Sequence, residues 1–192
     1  MKAGVFAGTL LMAACAPDRP LQTLGKLPEF RMTAVGPAGE APFTEKDMLG
    51  KVWAAEFVFT RCGGPCPLMT GRLAAMSERV PGLRVLAVTV DPAGDTAPRL
   101  REYALRHRVD PTRWVFLRGS SKDTYRLLYE GFKLPMSTQP DAPAESRVMH
   151  STRFVLIDAQ GSIRGYYDAL AQSGEAALEA DARKLLAAEG GV

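Results

Sequence analysis

The stretch FVFTRCGGPCPLMT, Phe57 to Thr70, holds two of the chain's three cysteines and decides how the rest is read. Its first part continues an apolar and aromatic run from Val52 to Thr60, which predicts a buried strand. Pro67 follows Cys66 directly. Proline suits the first turn of a helix and pushes its predecessor out of helical geometry. Cys66 is therefore expected to cap the helix that follows, with Cys62 in the loop before it. Gly63 and Gly64 would let that loop bend tightly. Both sulfurs then sit near a helix N-terminus, where the dipole favours thiolate over thiol.

Thiolates serve redox exchange and metal ligation alike. Gly63, Gly64 and Pro65 separate the cysteines. A redox pair of the thioredoxin kind usually has two intervening residues, and a disulfide needs its Cβ atoms about 3.5–4.5 Å apart. Two thiolates on one soft metal tolerate a wider gap. The spacing tilts the reading towards metal, while a redox pair and a Cys62–Cys66 disulfide both stay open.

Outward from this stretch the pattern alternates. Phe30 to Val35, a turn at Gly36–Gly39, and Phe43–Thr44 form a small hairpin ahead of the core. After Cys66, the spacing of Met69, Leu73, Met76 and Val80 predicts an amphipathic helix. LRVLAVTV, Leu83 to Val90, is a second buried strand, and Ala97 to His107 a second helix. Trp114 to Leu117 is a third strand, and Ser121 to about Tyr129 a third helix with a serine cap. Residues 134–147 hold three prolines and read as a loop. Arg153–Ile157 and Ser162–Tyr167 flank a hairpin turn, and Glu175 to Ala188 is the last helix. Strands alternating with helices predict an α/β sheet covered on both faces.

The chain has 192 residues, 46% hydrophobic and 23% charged, which suits one globular domain. The net charge of +3 is scattered, and no basic cluster suggests a nucleic-acid face. At the N-terminus one lysine precedes an apolar run from Ala3 to Ala14, then Cys15. That run is shorter than the about 20 residues a membrane span needs and fits a signal-peptide core. Leu11-Met12-Ala13-Ala14-Cys15 resembles a bacterial lipoprotein processing box, in which the cysteine becomes the lipidated first residue. The expected organisation is a signal peptide over 1–14, a flexible tether over 15–27 and one domain over 28–192. A plain secretory signal and an uncleaved membrane anchor are the alternatives, and all three export the domain. With Cys15 carrying lipid, Cys62 and Cys66 remain as a pair in an oxidising compartment.

A third ligand has to come from elsewhere. His107 lies on the apolar side of a helix and reads as packing. His150 ends the long loop just before a strand. If the 153–157 strand runs antiparallel to its neighbours, His150 reaches the edge where the parallel strands end, which is also the edge of the Cys62 loop and the usual ligand edge of an open α/β sheet. Asp91 lies on that edge too, as an outer or weak ligand. Asp95 reads with Thr96 as a helix cap. Two thiolates and one imidazole suit Cu(I), and an added oxygen ligand suits Cu(II), whereas structural zinc wants four protein ligands.

Three motifs together resemble the Sco/SenC family: Phe59-Thr60-Arg61-Cys62-Gly63-Gly64-Pro65-Cys66-Pro67, Thr89-Val90-Asp91-Pro92-Ala93-Gly94-Asp95-Thr96, and His150-Ser151-Thr152 before Val155-Leu156-Ile157-Asp158. The resemblance spans about residues 30–189. The glycine-rich insert between the cysteines and the proline-rich 134–147 loop depart from it. It implies a thioredoxin-like three-layer α/β sandwich, with a central mixed sheet and an N-terminal β-hairpin extension. It implies attachment to a membrane facing the periplasm, and copper held by Cys62, Cys66 and His150. It further implies a partner that accepts copper, cytochrome c oxidase subunit II with its binuclear copper A centre, alongside other periplasmic copper chaperones or thiol reductants. Family members deliver copper, reduce the target's cysteines, or both. The two functions expected are thus a metallochaperone without turnover and a membrane-anchored thiol–disulfide oxidoreductase in which Cys62 and Cys66 are catalytic. The three prolines of 134–147 suggest that a movable His150 lets copper go.

Overall fold

The computed structural model describes residues 20–139, 141–143 and 148–190. The expected signal peptide and Cys15 lie outside them. In chain order the elements are β1 (Gly25–Lys26), β2 (Arg31–Gly36), β3 (Gly39–Thr44), a 3-10 turn (Glu45–Met48), β4 (Trp53–Val58), α1 (Cys66–Arg79), β5 (Arg84–Thr89), α2 (Ala97–Arg106) and β6 (Trp114–Arg118). Then come α3 (Ser121–Arg126), which runs into a π turn (Leu127–Gly131), β7 (Met136–Thr138), β8 (Val148–His150), β9 (Arg153–Ile157), β10 (Ser162–Asp168) and α4 (Gln172–Glu189).

Eight strands form one mixed sheet in the order β1-β10-β9-β4-β5-β6-β2-β3. β4, β5 and β6 are parallel and β9 runs antiparallel to β4, which meets the condition on which His150 reaches the Cys62 edge. The β2–β3 hairpin extends the sheet beyond β6. Strand alternation splits the core in two. Ala54, Val58, Val85 and Ala87 pack under Met69, Leu73 and Met76 of α1, Leu100 and Tyr103 of α2, and Leu178 and Ala182 of α4. Trp53, Ala55, Phe57, Leu86 and Val88 face the other way, onto Leu127, Leu128 and Phe132. The result is the three-layer sandwich. Between β9 and β10, Gly161 takes the positive φ of 78° that the turn requires, and the Asp158 carboxylate accepts the Gln160 and Ser162 amides.

Three local expectations change. Residues 20–27 do not form the end of a free tether: Leu24 and Leu27 donate backbone hydrogen bonds to Ile163 and Gly161, β1 pairs with β10, and Leu27 is buried. These main-chain hydrogen bonds cover the edge of β10, which a proline-based reading of a linker overlooks. Within 134–147, Met136–Thr138 pairs antiparallel with Val148–His150 as a separate two-stranded ribbon. His150 is therefore held in a strand opposite Met136. Cys66 is the first residue of α1, and Pro65 takes the cap position with helical φ and ψ. Among the described residues no helix is long and apolar enough to cross a membrane.

Candidate metal and thiol site

The site is built at the end of β4. Thr60 leaves the strand with its amide and hydroxyl both donated to the Asp95 carboxylate, which also accepts the Thr89 hydroxyl from the end of β5. Asp95 is fully buried and burial raises its pKa, against the three donors that lower it. It thus braces two strand ends, and it is not the helix cap expected of it; Thr96 holds the N-cap position without a side-chain hydrogen bond. Asp91 pairs with Arg61 at 2.6 Å and accepts the Gly94 amide. Glycine at position 94 leaves room for this ion pair: a Cβ there would stand 2.2 Å from Asp91 Oδ2 and 2.6 Å from Arg61 Nη2 and would displace it. The carboxylate expected as an outer metal ligand is engaged in holding Arg61, the residue before Cys62.

The Cys62 amide donates to the Phe59 carbonyl, which turns the chain over the strand end. Gly63 and Gly64 are absent from the positive-φ residues, so the bend does not use the freedom that glycine offers. Cys66 is fully buried and Cys62 only partly, and both are free thiols. The two are unequal. The Cys66 thiol donates to the Cys62 sulfur, and the Cys66 and Gly64 amides add to it, which lowers the Cys62 pKa to about 6. The same shared proton, with burial, pushes Cys66 well up. Only one thiol of the expected pair is acidic.

His150 arrives from β8. Its Nε2 lies 3.5 Å from Cys66 Sγ and its Nδ1 lies 3.0 Å from the Ser151 carbonyl oxygen. A carbonyl only accepts, so Nδ1 carries the proton and Nε2 presents its lone pair to the sulfur. Burial lowers the His150 pKa, which keeps the ring neutral near pH 7. Phe59 and the imidazole pack nearly perpendicular, 6.1 Å between centroids. A neutral imidazole fixed through its second nitrogen is the form that ligates metals. Cys62, Cys66 and His150 are strung together pairwise; among the described residues no three His, Cys, Asp or Glu side chains already enclose a metal ion. Copper with few soft ligands fits that donor chemistry better than zinc does.

His107 sits elsewhere, closing the end of α2 with its ring 4.4 Å from Tyr103. Sequence reasoning passed over Glu56. It is fully buried in β4 and accepts from the Thr70 hydroxyl at 3.0 Å; Thr70 meets the Tyr103 hydroxyl at 2.8 Å. Its pKa is raised to about 8 by burial. One acidic residue inside the apolar run VWAAEFVF was the available signal.

The SCO1/SenC family profile matches residues 28–186. A SCO1 protein homolog of Bacillus subtilis is 27% identical over 128 residues, 64% of this chain and 65% of that protein, so the chain spans just under two thirds of that relative's length. The crystal structure of a SCO1/SenC family lipoprotein from Bacillus anthracis str. Ames superposes with a TM-score of 0.76 at 27% identity, covering 86% of this chain and 98% of that one. Yeast Sco1 with copper bound superposes with a TM-score of 0.64 at 25% identity, covering 80% of this chain and 86% of that one.

Proposed function

The chain belongs to the SCO1/SenC family, and on that premise we propose that it is a copper chaperone. Its cargo is a copper ion held by the sulfurs of Cys62 and Cys66 and by His150 Nε2. The observation that carries this reading is the 3.5 Å approach of Nε2 to Cys66 Sγ, with the other ring nitrogen tied to Ser151. Loading displaces the proton the two thiols share, and the deprotonated pair takes up the soft ion. The recipient is a copper-accepting membrane protein of the kind that holds the copper A centre of cytochrome c oxidase. The protein works outside the cytoplasm, held to a membrane by lipid on Cys15.

Anaerobic titration of the reduced protein with Cu(I), against a competing chelator, tests the reading. About one copper per chain is expected. Cys62→Ala, Cys66→Ala and His150→Ala are each expected to lose at least the 10–100-fold in affinity that removing a mere outer partner costs. Unchanged affinity in His150→Ala removes the proposed third ligand.

The inequality of the two thiols favours a second reading, thiol–disulfide exchange. The Cys62 thiolate attacks one sulfur of a partner disulfide, forming a mixed disulfide and releasing the other partner sulfur as thiolate. Cys66 then gives its proton to His150 Nε2 and attacks Cys62, which frees the second partner sulfur. The partner is reduced by two electrons, and Cys62–Cys66 becomes the disulfide.

A further inference from the structure

The β7–β8 ribbon that carries His150 to the thiols also carries two thioethers. Met32, Met48, Met69 and Met76 are buried in the core. The other two methionines of the described residues, Met136 and Met149, both lie on the ribbon. They face opposite ways. The register pairs Met136 with His150, Ser137 with Met149 and Thr138 with Val148. Side chains alternate along a strand, and residues directly opposite each other share a face. Val148, His150 and Met136 therefore stand on one face, and Met149 on the other.

Burial tells which face is the inner one. Val148 is buried in the cluster that also holds Cys66 and Phe59, and Met136 packs half-buried against that same cluster, as Cys62 does. Met149 is 57% exposed, and its sulfur accepts from the Gln139 amide at 3.0 Å. Among the described residues the Met136 sulfur has no such donor. Direct opposition sets the Cβ atoms of Met136 and His150 about 4.5–5.5 Å apart. From there an unbranched, flexible side chain can bring its sulfur to the side of the ring that faces the thiols. Packing alone would be served by the β-branched residues that strands favour. What methionine adds is a thioether, a neutral soft donor that selects Cu(I).

We propose that Met136 is a fourth ligand to the copper ion, its thioether closing the set that Cys62, Cys66 and His150 begin. The assignment rests on the copper reading of those three residues. Two thiolates and one imidazole form a three-donor set of the kind beside which copper takes a weak axial thioether. A thioether raises the affinity for a soft ion without adding charge to the site, and it needs no deprotonation to bind.

The test compares wild type, Met136→Leu, Met149→Leu and His150→Ala by anaerobic competition titration of the reduced full chain, with Cu(I) and separately with Zn(II). Leucine keeps the volume of methionine, so the packing of the ribbon survives. Met136→Leu is expected to lose about tenfold in Cu(I) affinity, the low end of what removing a supporting group costs at a metal site. Its Zn(II) affinity should not change, because zinc draws on thiolate, imidazole and carboxylate and not on thioether. Met149→Leu should alter neither. A second measurement uses the wild-type chain with carbon-13 in its methionine methyl groups. Cu(I) should shift the Met136 methyl resonance, assigned by its absence from Met136→Leu, well beyond any shift that Zn(II) causes. Equal losses of Cu(I) and Zn(II) in Met136→Leu would make the residue a support for His150 and overturn the proposal. Unchanged Cu(I) affinity in Met136→Leu, an equal loss in Met149→Leu, or the same methyl shift with both metals would overturn it too. If His150→Ala loses Cu(I) affinity and Met136→Leu does not, this ligand fails alone; if the wild-type chain takes up no Cu(I), the copper reading itself fails.

Discussion

His150 Nε2 lies 3.5 Å from the Sγ of Cys66, a residue 84 positions earlier. The contact depends on two separate devices. α1 buries Cys66 at its first residue, and the β7–β8 ribbon carries the ring to it. Because the ring touches the buried thiol, His150 bears on both proposed chemistries. His150→Ala is expected to cut Cu(I) affinity and also to slow the step in which Cys66 closes on Cys62. Single-turnover reduction of a small disulfide, followed by mass spectrometry, separates the two. The variant should accumulate the mixed disulfide on Cys62 while its first step runs at the wild-type rate. If neither quantity changes, the contact has no role in either chemistry.

Cys62 is expected to react first, and at low pH. Its pKa of about 6 rests chiefly on the hydrogen bond from Cys66. Alkylation of the reduced protein should rise through a midpoint near 6, with Cys62 modified and Cys66 not. Cys66→Ala removes the donor. The midpoint should then move up, towards the free-cysteine value of about 8.5. A midpoint unmoved by that substitution would mean that the backbone amides alone hold the thiolate.

The Asp95 brace should be worth more to stability than a helix cap. Asp95→Ala leaves the Thr60 amide and the Thr89 hydroxyl without their acceptor at a buried strand end. A loss of about 2–4 kcal/mol in denaturant unfolding is expected. Asp95→Asn keeps an acceptor and should lose less. A loss below about 1 kcal/mol for the alanine variant would return Asp95 to the capping role.

The contrast between these residues explains what was legible in the sequence. Helices, strands and their order follow from local periodicity, so α1, β5, α2 and β9 fall where apolar spacing puts them. The antiparallel setting of β9 follows from sheet topology, and that setting brings His150 to the Cys62 edge. Asp95 escaped because its three donors come from two residues, Thr60 and Thr89, at the ends of two strands, and nothing local distinguishes a brace from a cap. The Cys62–Cys66 asymmetry escaped for a different reason. A helix N-terminus acts on both sulfurs, but one shared proton and unequal burial pull them apart. The β7–β8 pairing joins segments about ten residues apart across a proline-rich stretch, where composition argued for a loop.

Glu56 carries a pH dependence of opposite sign to that of an ordinary surface carboxylate. Its carboxyl is raised from 4.5 to about 8 by burial, with only the Thr70 hydroxyl opposing. Between those values the native state keeps the proton and the unfolded chain has lost it. Stability should therefore fall as pH rises from about 5 to 8, at up to ~1.4 kcal/mol per pH unit from this one group, and level off above. The Thr70–Tyr103 chain can follow the change: Thr70 donates to an ionised Glu56, and accepts from a protonated one while donating to Tyr103. Glu56→Gln removes the titration and keeps the shape. Urea unfolding should show the variant close to wild type at pH 5 and more stable by several kcal/mol at pH 8.5, about what burying an unpaired charge costs. Parallel stability curves for the two proteins across that range would show that Glu56 ionises in the folded core without penalty.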